Sequence, residues 1–261
     1  MIPNHLDRIL LWVAAAHLAL GMACAFALLA DAVPIMGVHP ALKPMKFAFS
    51  IGVFLVTMAV LVPALSVGQG VRSALAWTLA LTMIFEMVPI VVQALRGTTS
   101  HFNTHGWFDA ALWKTMMVAI VTMTVAMVYV AIVASSRSLH TAAGGPMDPL
   151  VATAWRAGLW LFLLAAVSGF SMGGRLRHSV GGDDGGPGLP VVNWSATHGD
   201  LRVSHFLAMH ALQALPVIGS LLVAMPLGAM ARWTLLLFAI AIQTGIALWT
   251  LFQAWGGRPV W

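Results

Sequence analysis

Glu86 stands in the run LALTMIFEMVPIVVQAL, which is otherwise free of charge. An ionisable side chain in such a run is costly in a membrane and marks a proton or ion pathway, a cofactor ligand or a catalytic group. The first apolar run carries His17 and Cys24, seven residues apart and on one helical face to within about 20°. Glu86, Gln93 and Arg96 fall within an arc of about 80°. A later run carries Arg202, His205, His210 and Gln213 over an arc of about 140°. At 1.5 Å per residue, Glu86 and His210 lie about 15 Å from one end of their runs, and His17 about 20 Å. The three belong to one layer near mid-membrane, with Arg96, His101, Lys46, Arg202 and His205 in a second layer nearer one surface.

The first reading of this chemistry is a membrane redox protein carrying b-type haem. Haem takes an axial imidazole from a helix, an apolar slot and cations for its propionates. His210 is the first candidate ligand and His17 or His205 the second, with Arg175, Arg177 and Arg202 as propionate partners. The remaining imidazoles, His101, His105 and His198 with His205, suit a copper ion. His205 and His210 point about 140° apart and belong to different centres. Glu86, Arg96 and Gln213 are the groups expected to act in catalysis, with a quinone or a small redox protein as partner. The alternative is a proton- or ion-coupled small-solute transporter built on Glu86 and His210. A further alternative is a metal-dependent intramembrane hydrolase or lipid oxidase, for which His101 and His105 supply an HxxxH pair. The glycines and threonines around that pair predict a loop, where the spacing loses its helical meaning. Asp183 and Asp184, in a glycine-rich stretch, read as solvated loop residues.

These groups are set in a chain of 261 residues, 60% hydrophobic and 8% charged, with a mean hydropathy of +0.91. Soluble domains carry about 25% charged residues. The composition excludes a soluble enzyme and a disordered protein, and it predicts an all-α integral membrane bundle. Seven apolar stretches, near 8–30, 45–67, 72–96, 110–135, 150–173, 201–224 and 232–255, are each long enough to cross a bilayer. They form one membrane domain over 1–261. The single Cys24 excludes an internal disulfide and a Cys-ligated cluster, and no CxxCH is present for covalent haem. The net charge of +5 does not argue for nucleic acid.

Seven crossings place the ends of the chain on opposite sides. Loops near 31–44, 97–109 and 174–200 then share a side rich in His, Trp and Asp, away from the N-terminus. That side is the working face, since loops on a rigid scaffold usually carry function. A count of Lys and Arg alone would place it in the cytoplasm. Several of those cations sit inside His- and Asp-rich motifs, so the expectation is a cytoplasmic N-terminus with the working face toward the periplasm.

The segments RGTTSHFNTH (96–105), HGDLRVSHFLAMHALQALP (198–216), HPALKPMKF (39–47) and NHL near the start carry a resemblance. With their SHFN and HFLxxHALQxLP motifs, they resemble a widespread family of bacterial seven-span membrane proteins. The resemblance implies the same seven-span fold over most of the chain and brings no activity with it.

Overall fold

The computed structural model describes residues 7–260; the NHL segment with His5 lies outside them. Seven helices follow one another: α1 (Arg8–Ala27), α2 (Leu42–Ala64), α3 (Gln69–Leu95), α4 (Gly106–Ser136), α5 (Pro149–Arg175), α6 (Leu201–Ala224) and α7 (Ala229–Trp255). Each is long and apolar enough to cross a membrane, and the chain is a multi-pass membrane protein. Two short strands, β1 (Ser179–Val180) and β2 (Gly199–Asp200), pair antiparallel and pinch the α5–α6 connection at its base. The helices match the seven apolar stretches to within a few residues. α2 begins three residues before the expected boundary, because Pro44 is tolerated in a first turn where no backbone donor is needed.

Hydrocarbon offers no water to backbone or side-chain polar groups, so the sequence satisfies them locally. Asp7 caps α1 by accepting from Leu10 N at 3.0 Å, and Asp148 caps α5 from Leu150 N at 2.8 Å, with Pro149 in the first turn. Hydroxyls of Thr57, Thr115, Thr122 and Thr244 donate to the carbonyl four residues earlier. Apolar side chains such as Leu235, Phe238, Ile242 and Trp249 on α7 stay exposed, as a lipid-facing surface requires.

The chain forms two compact units, Met1–Ala126 and Met127–Trp261, with the division inside α4. In the first unit α1 packs on both α2 and α3. α1 and α2 run antiparallel and close together: a Cβ at Gly21 would lie 3.1 Å from the Phe49 ring, and one at Gly52 2.6 Å from Leu18. In the second unit α5 and α6 approach through small residues. A Cβ at Gly158 would meet the Ala211 carbonyl oxygen at 2.9 Å, and one at Gly219 would meet the Ala154 methyl at 2.9 Å. α7 is tied to α6 by Ser204 Oγ donating to the Ala247 carbonyl at 3.0 Å and Gln243 Nε2 donating to the Leu207 carbonyl at 2.7 Å.

An odd number of crossings fixes a simple test. Compartment reporters joined ahead of α1 and behind α7 are expected to report opposite sides of the membrane. The same side for both would remove one crossing.

Candidate functional site

In the first unit α3 carries the buried carboxylate Glu86 at mid-span, and a capped loop follows the helix. α3 ends in a Schellman turn: Gly97, at φ +70°, donates to the Ala94 carbonyl at 3.1 Å, and Thr98 donates to the Gln93 carbonyl at 3.0 Å. Gly97 is needed there because its positive φ is strained for a side chain with a Cβ. The 97–105 segment is a loop, as its glycines and threonines predict, and it is closed by Asp109 in the first turn of α4. The Asp109 carboxylate accepts from Gln93 Nε2 at 3.0 Å and Asn103 Nδ2 at 3.1 Å, and it pairs with the Arg96 guanidinium. A carboxylate in the first turn also meets the positive end of the helix dipole. Asn103 reaches further, donating to the Thr99 carbonyl and accepting from His105 N. Arg96, expected to act in catalysis, is thus engaged with Asp109 and lies 4.7 Å over the Phe108 ring.

This closure sets His101 inward. Its Nε2 lies 3.5 Å from Glu86 Oε1, and its Nδ1 is 3.2 Å from Ser100 Oγ. Aromatic rings surround the imidazole, with centroids 5.3 Å away for Phe47, 5.9 Å for Phe102 and 5.6 Å for Trp113. Phe102 holds a φ of +62°, a conformation that costs energy for a bulky side chain and persists only where the surroundings enforce it. Glu86 is 5% exposed, and its Oε2 is buried with no hydrogen-bond partner. Lys43 on α2 acts on it electrostatically. His17 on α1 is also 5% exposed. Its Nδ1 donates to the Val13 carbonyl at 2.7 Å, and its Nε2 is buried without a partner. His105 is exposed.

In the second unit the histidines occupy separate settings. His205 Nδ1 donates to the Ala165 carbonyl of α5 at 2.8 Å, and its ring lies over Gly169, where a Cβ would come within 3.2 Å of it. His210 Nδ1 donates to Gln213 Oε1 at 3.2 Å, and its ring meets Phe206 at a tilt of 59° with centroids 4.4 Å apart, while Phe206 meets Trp194 at 5.6 Å. Arg202 forks onto Asp200, which also caps α6 at Arg202 N and accepts from Ser195 N at 2.8 Å. Arg175 is exposed, and Arg177 lies 3.5 Å from the exposed Asp183. His198 Nδ1 is 2.8 Å from Thr197 Oγ1, and its ring fills the space beside Gly182. Among the described residues, no three of the His, Cys, Asp and Glu side chains come together to hold a metal ion.

Asp183 and Asp184 differ sharply. Asp183 is solvated, its side chain 96% exposed, as expected. Asp184 is not a solvated loop residue. It accepts from the backbone N–H of His178 at 3.1 Å and of Ser179 at 2.9 Å, and lies 3.0 Å from His178 Nδ1. Partial burial pushes its carboxyl up, but the bonds and charge of His178 with the Ser179 bond outweigh burial and hold it well below the usual carboxylate range. A depressed folded-state pKa stabilises the loop fully above the ordinary value of about 3.9, and the contribution fades as pH falls below it. Trypsin cleavage after Arg177 is therefore expected to stay slow from pH 8 down to about 5 in the wild type. In Asp184→Ala it should rise on the order of tenfold at neutral pH, for loss of three charge-assisted contacts. Equal rates would mean the carboxylate does not hold this loop.

Sequence reasoning singled out Glu86 and His101 but not Asp109, Asn103 and Asp184 as organisers. Their signal is weak: each is a short polar residue near a glycine, the pattern of any surface turn. No protein-family model, curated protein or solved structure matches this chain.

Proposed function

We propose that the chain is a proton-coupled membrane protein, a small-solute carrier in which Glu86 is the proton-exchanging group and His101 its partner toward the loop. The observation that carries this reading is a carboxylate buried within a membrane helix, with one oxygen facing an imidazole and the other without a partner. An isolated carboxylate is costly in low dielectric. A proton passing from His101 Nε2 to Glu86 Oε1 breaks an N–H bond and forms an O–H bond, turning an ion pair into two neutral groups. The transfer requires closing the gap from 3.5 Å to a hydrogen-bonded distance of about 2.8 Å. The Phe47, Phe102 and Trp113 rings restrict bulk water around this pair, which strengthens its electrostatics. The working face of this reading is the loop side, toward the periplasm of a bacterial inner membrane.

Infrared difference spectra recorded on changing pH test it. A carboxylic C=O band is expected in the wild type and absent in Glu86→Gln. Proton flux into vesicles holding the protein should fall about 100-fold in the same variant and be kept in His140→Ala. A wild type with no Glu86-dependent band overturns the reading.

A second reading is b-type haem, favoured by the anchoring of two imidazoles. His17 and His205 each donate Nδ1–H to a helix carbonyl, which leaves Nε2 as the lone-pair nitrogen, the arrangement metal-ligating histidines adopt. The buried, unpartnered Nε2 of His17 fits an axial ligand. His210, held through Nδ1 by Gln213, has the same tautomer. Arg175 and Arg177 would face propionates, whereas Arg202 is already engaged by Asp200. Haem would supply one-electron chemistry for a quinone or a small redox partner. Copper is the weaker half of this reading: His101, His105 and His198 with His205 form no cluster of three. A Soret band in the purified protein, lost in His17→Ala, His205→Ala or His210→Ala, favours this reading over the first.

A further inference from the structure

We infer that the chain is a tandem repeat: α5–α7 restates the three-helix unit α1–α3, α4 connects the two, and proton exchange belongs to the first repeat alone. The division of labour rests on Glu86 exchanging protons as proposed above; the repeat itself does not. Packing order is the first observation. α1 packs on both α2 and α3, and α5 packs on both α6 and α7. Each unit opens on an aspartate cap, Asp7 for α1 and Asp148 for α5. Each helix of the second unit follows its counterpart by four crossings, so the pair cross the membrane in the same direction.

The register is shared to the residue. α2 ends at Ala64 and α6 at Ala224, and α3 runs Gln69–Leu95 against Ala229–Trp255 for α7, all displaced by 160 positions. Leu65 and Met225, which follow α2 and α6, share an extended conformation, with φ/ψ of −70°/137° and −78°/148°. Gly68 and Gly228 cap the next helices at −65°/156° and −67°/154°. Arg72 Nη2 donates to the Leu65 carbonyl at 2.7 Å, and Arg232 Nη2 to the Met225 carbonyl at 2.8 Å. Each guanidinium satisfies a carbonyl left over at a helix end, and each keeps a buried Nε without a partner. Both 27-residue helices then end alike. Gly97 and Gly257 hold φ +70°. Thr98 N donates to the Gln93 carbonyl at 3.0 Å, and Arg258 N to the Gln253 carbonyl at 3.1 Å. The Gln93 and Gln253 amides each donate to the segment that follows, one to Asp109 and the other to the Pro259 carbonyl. A Schellman end is common by itself, but nothing in it sets the distance back to an arginine-bridged turn.

The first helices of each unit keep this register with the glycine moved across. Gly52 of α2 faces Leu18 of α1, whereas its counterpart Leu212 of α6 faces Gly158 of α5. One buried stripe is common to α3 and α7: Ala76, Met87 and Ile90 match Leu236, Ala247 and Thr250. The face around Glu86 is not. Leu75, Thr82 and Glu86 are buried, but Leu235, Ile242 and Ile246 at the same positions are 43–45% exposed. The stripe is the frame that both repeats need, and the extra buried face of α3 is where the carboxylate sits. Identity persists at Gly68 and Gly228, Arg72 and Arg232, Gln93 and Gln253, and Gly97 and Gly257, which serve helix ends. Carriers are often built from internal repeats of weak sequence similarity, parallel ones among them.

The test exchanges segments within the full-length protein. Replacing 225–232 by the sequence of 65–72 keeps the glycine and the arginine of the turn in place. This chimera should match the wild type in thermal midpoint, Glu86 C=O band and proton flux. The same eight residues set at 226–233 displace both by one position and should lower the midpoint. An in-register chimera that unfolds like the shifted one, or a shifted one that unfolds like the wild type, overturns the repeat. Arg72→Ala and Arg232→Ala should each speed amide hydrogen exchange about tenfold at its own turn, 65–72 or 225–232. An effect at one turn only overturns their equivalence. Ile246→Ala should keep its proton flux, against the loss of about 100-fold expected in Glu86→Gln. A comparable loss in Ile246→Ala would put proton exchange in both repeats and overturn the division of labour. Absence of any Glu86 band overturns the proton reading and that division with it, and the repeat then stands or falls on the chimeras.

Discussion

Asp109→Ala is expected to uncouple Glu86 from the outside while leaving Glu86 itself in place. Three groups lose an acceptor at once: the Gln93 amide at the end of α3, the Arg96 guanidinium and the Asn103 amide in the middle of the loop. Asn103 in turn fixes His105 N and the Thr99 carbonyl, so the 97–105 segment loses its closure. His101 then leaves its 3.5 Å approach to Glu86 Oε1. Misplacing a reacting group by about 1 Å can cost about 100-fold, and proton flux should fall by that order. The Glu86 C=O band should persist, because α3 is held by its own apolar packing around Leu79, Met83 and Ile90. Asp109→Asn keeps one acceptor oxygen but turns an amide toward Asn103 Nδ2, so an intermediate loss is expected. Protease cleavage within 97–105 provides the structural check. Full flux in Asp109→Ala would show that the loop is held without the carboxylate.

The second large effect concerns stability in the other unit. Gly158→Val should destabilise the α5–α6 pair by about 2 kcal/mol or more. Even a methyl there would press the Ala211 carbonyl oxygen at 2.9 Å and the Leu212 Cα at 3.0 Å, and backbone cannot rotate away as a side chain can. The antiparallel contacts on either side, Ala154 with Gly219 and Gly169 with His205, make the approach continuous along both helices. Separating them would also lift His205 from the Ala165 carbonyl. A lowered midpoint in thermal unfolding of detergent-solubilised protein is the readout. Gly174→Ala, where nothing lies within 4 Å of the added carbon, is the matched control and should unfold as the wild type does.

The seven crossings are legible in the sequence because length and apolarity are local quantities, and a helix satisfies its own backbone inside hydrocarbon. Glu86 is legible for the same reason: a carboxylate in LALTMIFEMVPI has no local justification, so its type alone marks it. Its partner was not legible. His101 reads by residue type as one of four surplus imidazoles for copper, and its inward position depends on a loop with left-handed residues at Gly97, Phe102 and Gly106. Asp183 and Asp184 are chemically identical neighbours that the fold divides into a solvated residue and a half-buried acceptor. No spacing rule separates them, since the distinction arises where backbone N–H groups happen to point. Arg202 reads in the sequence as a propionate partner and Arg96 as a catalytic group, and each has a carboxylate within reach in the same chain.

The division of the chain inside α4 has a consequence for how the protein is made. Glu86, His101, Asp109 and His17 all belong to the first unit, Met1–Ala126, and all are contributed before the second unit begins. Ribosomes add about 5–20 residues per second, and units tend to pack in order of emergence. The remaining residues therefore take roughly 7–27 seconds to appear. During that interval the carboxylate enters the bilayer with its loop and its aromatic surround already encoded in the same nascent segment. The costly charge need never wait in lipid for a partner from the far end of the chain. Insertion of the second unit can then be slow, or even faulty, without stranding Glu86 unpaired.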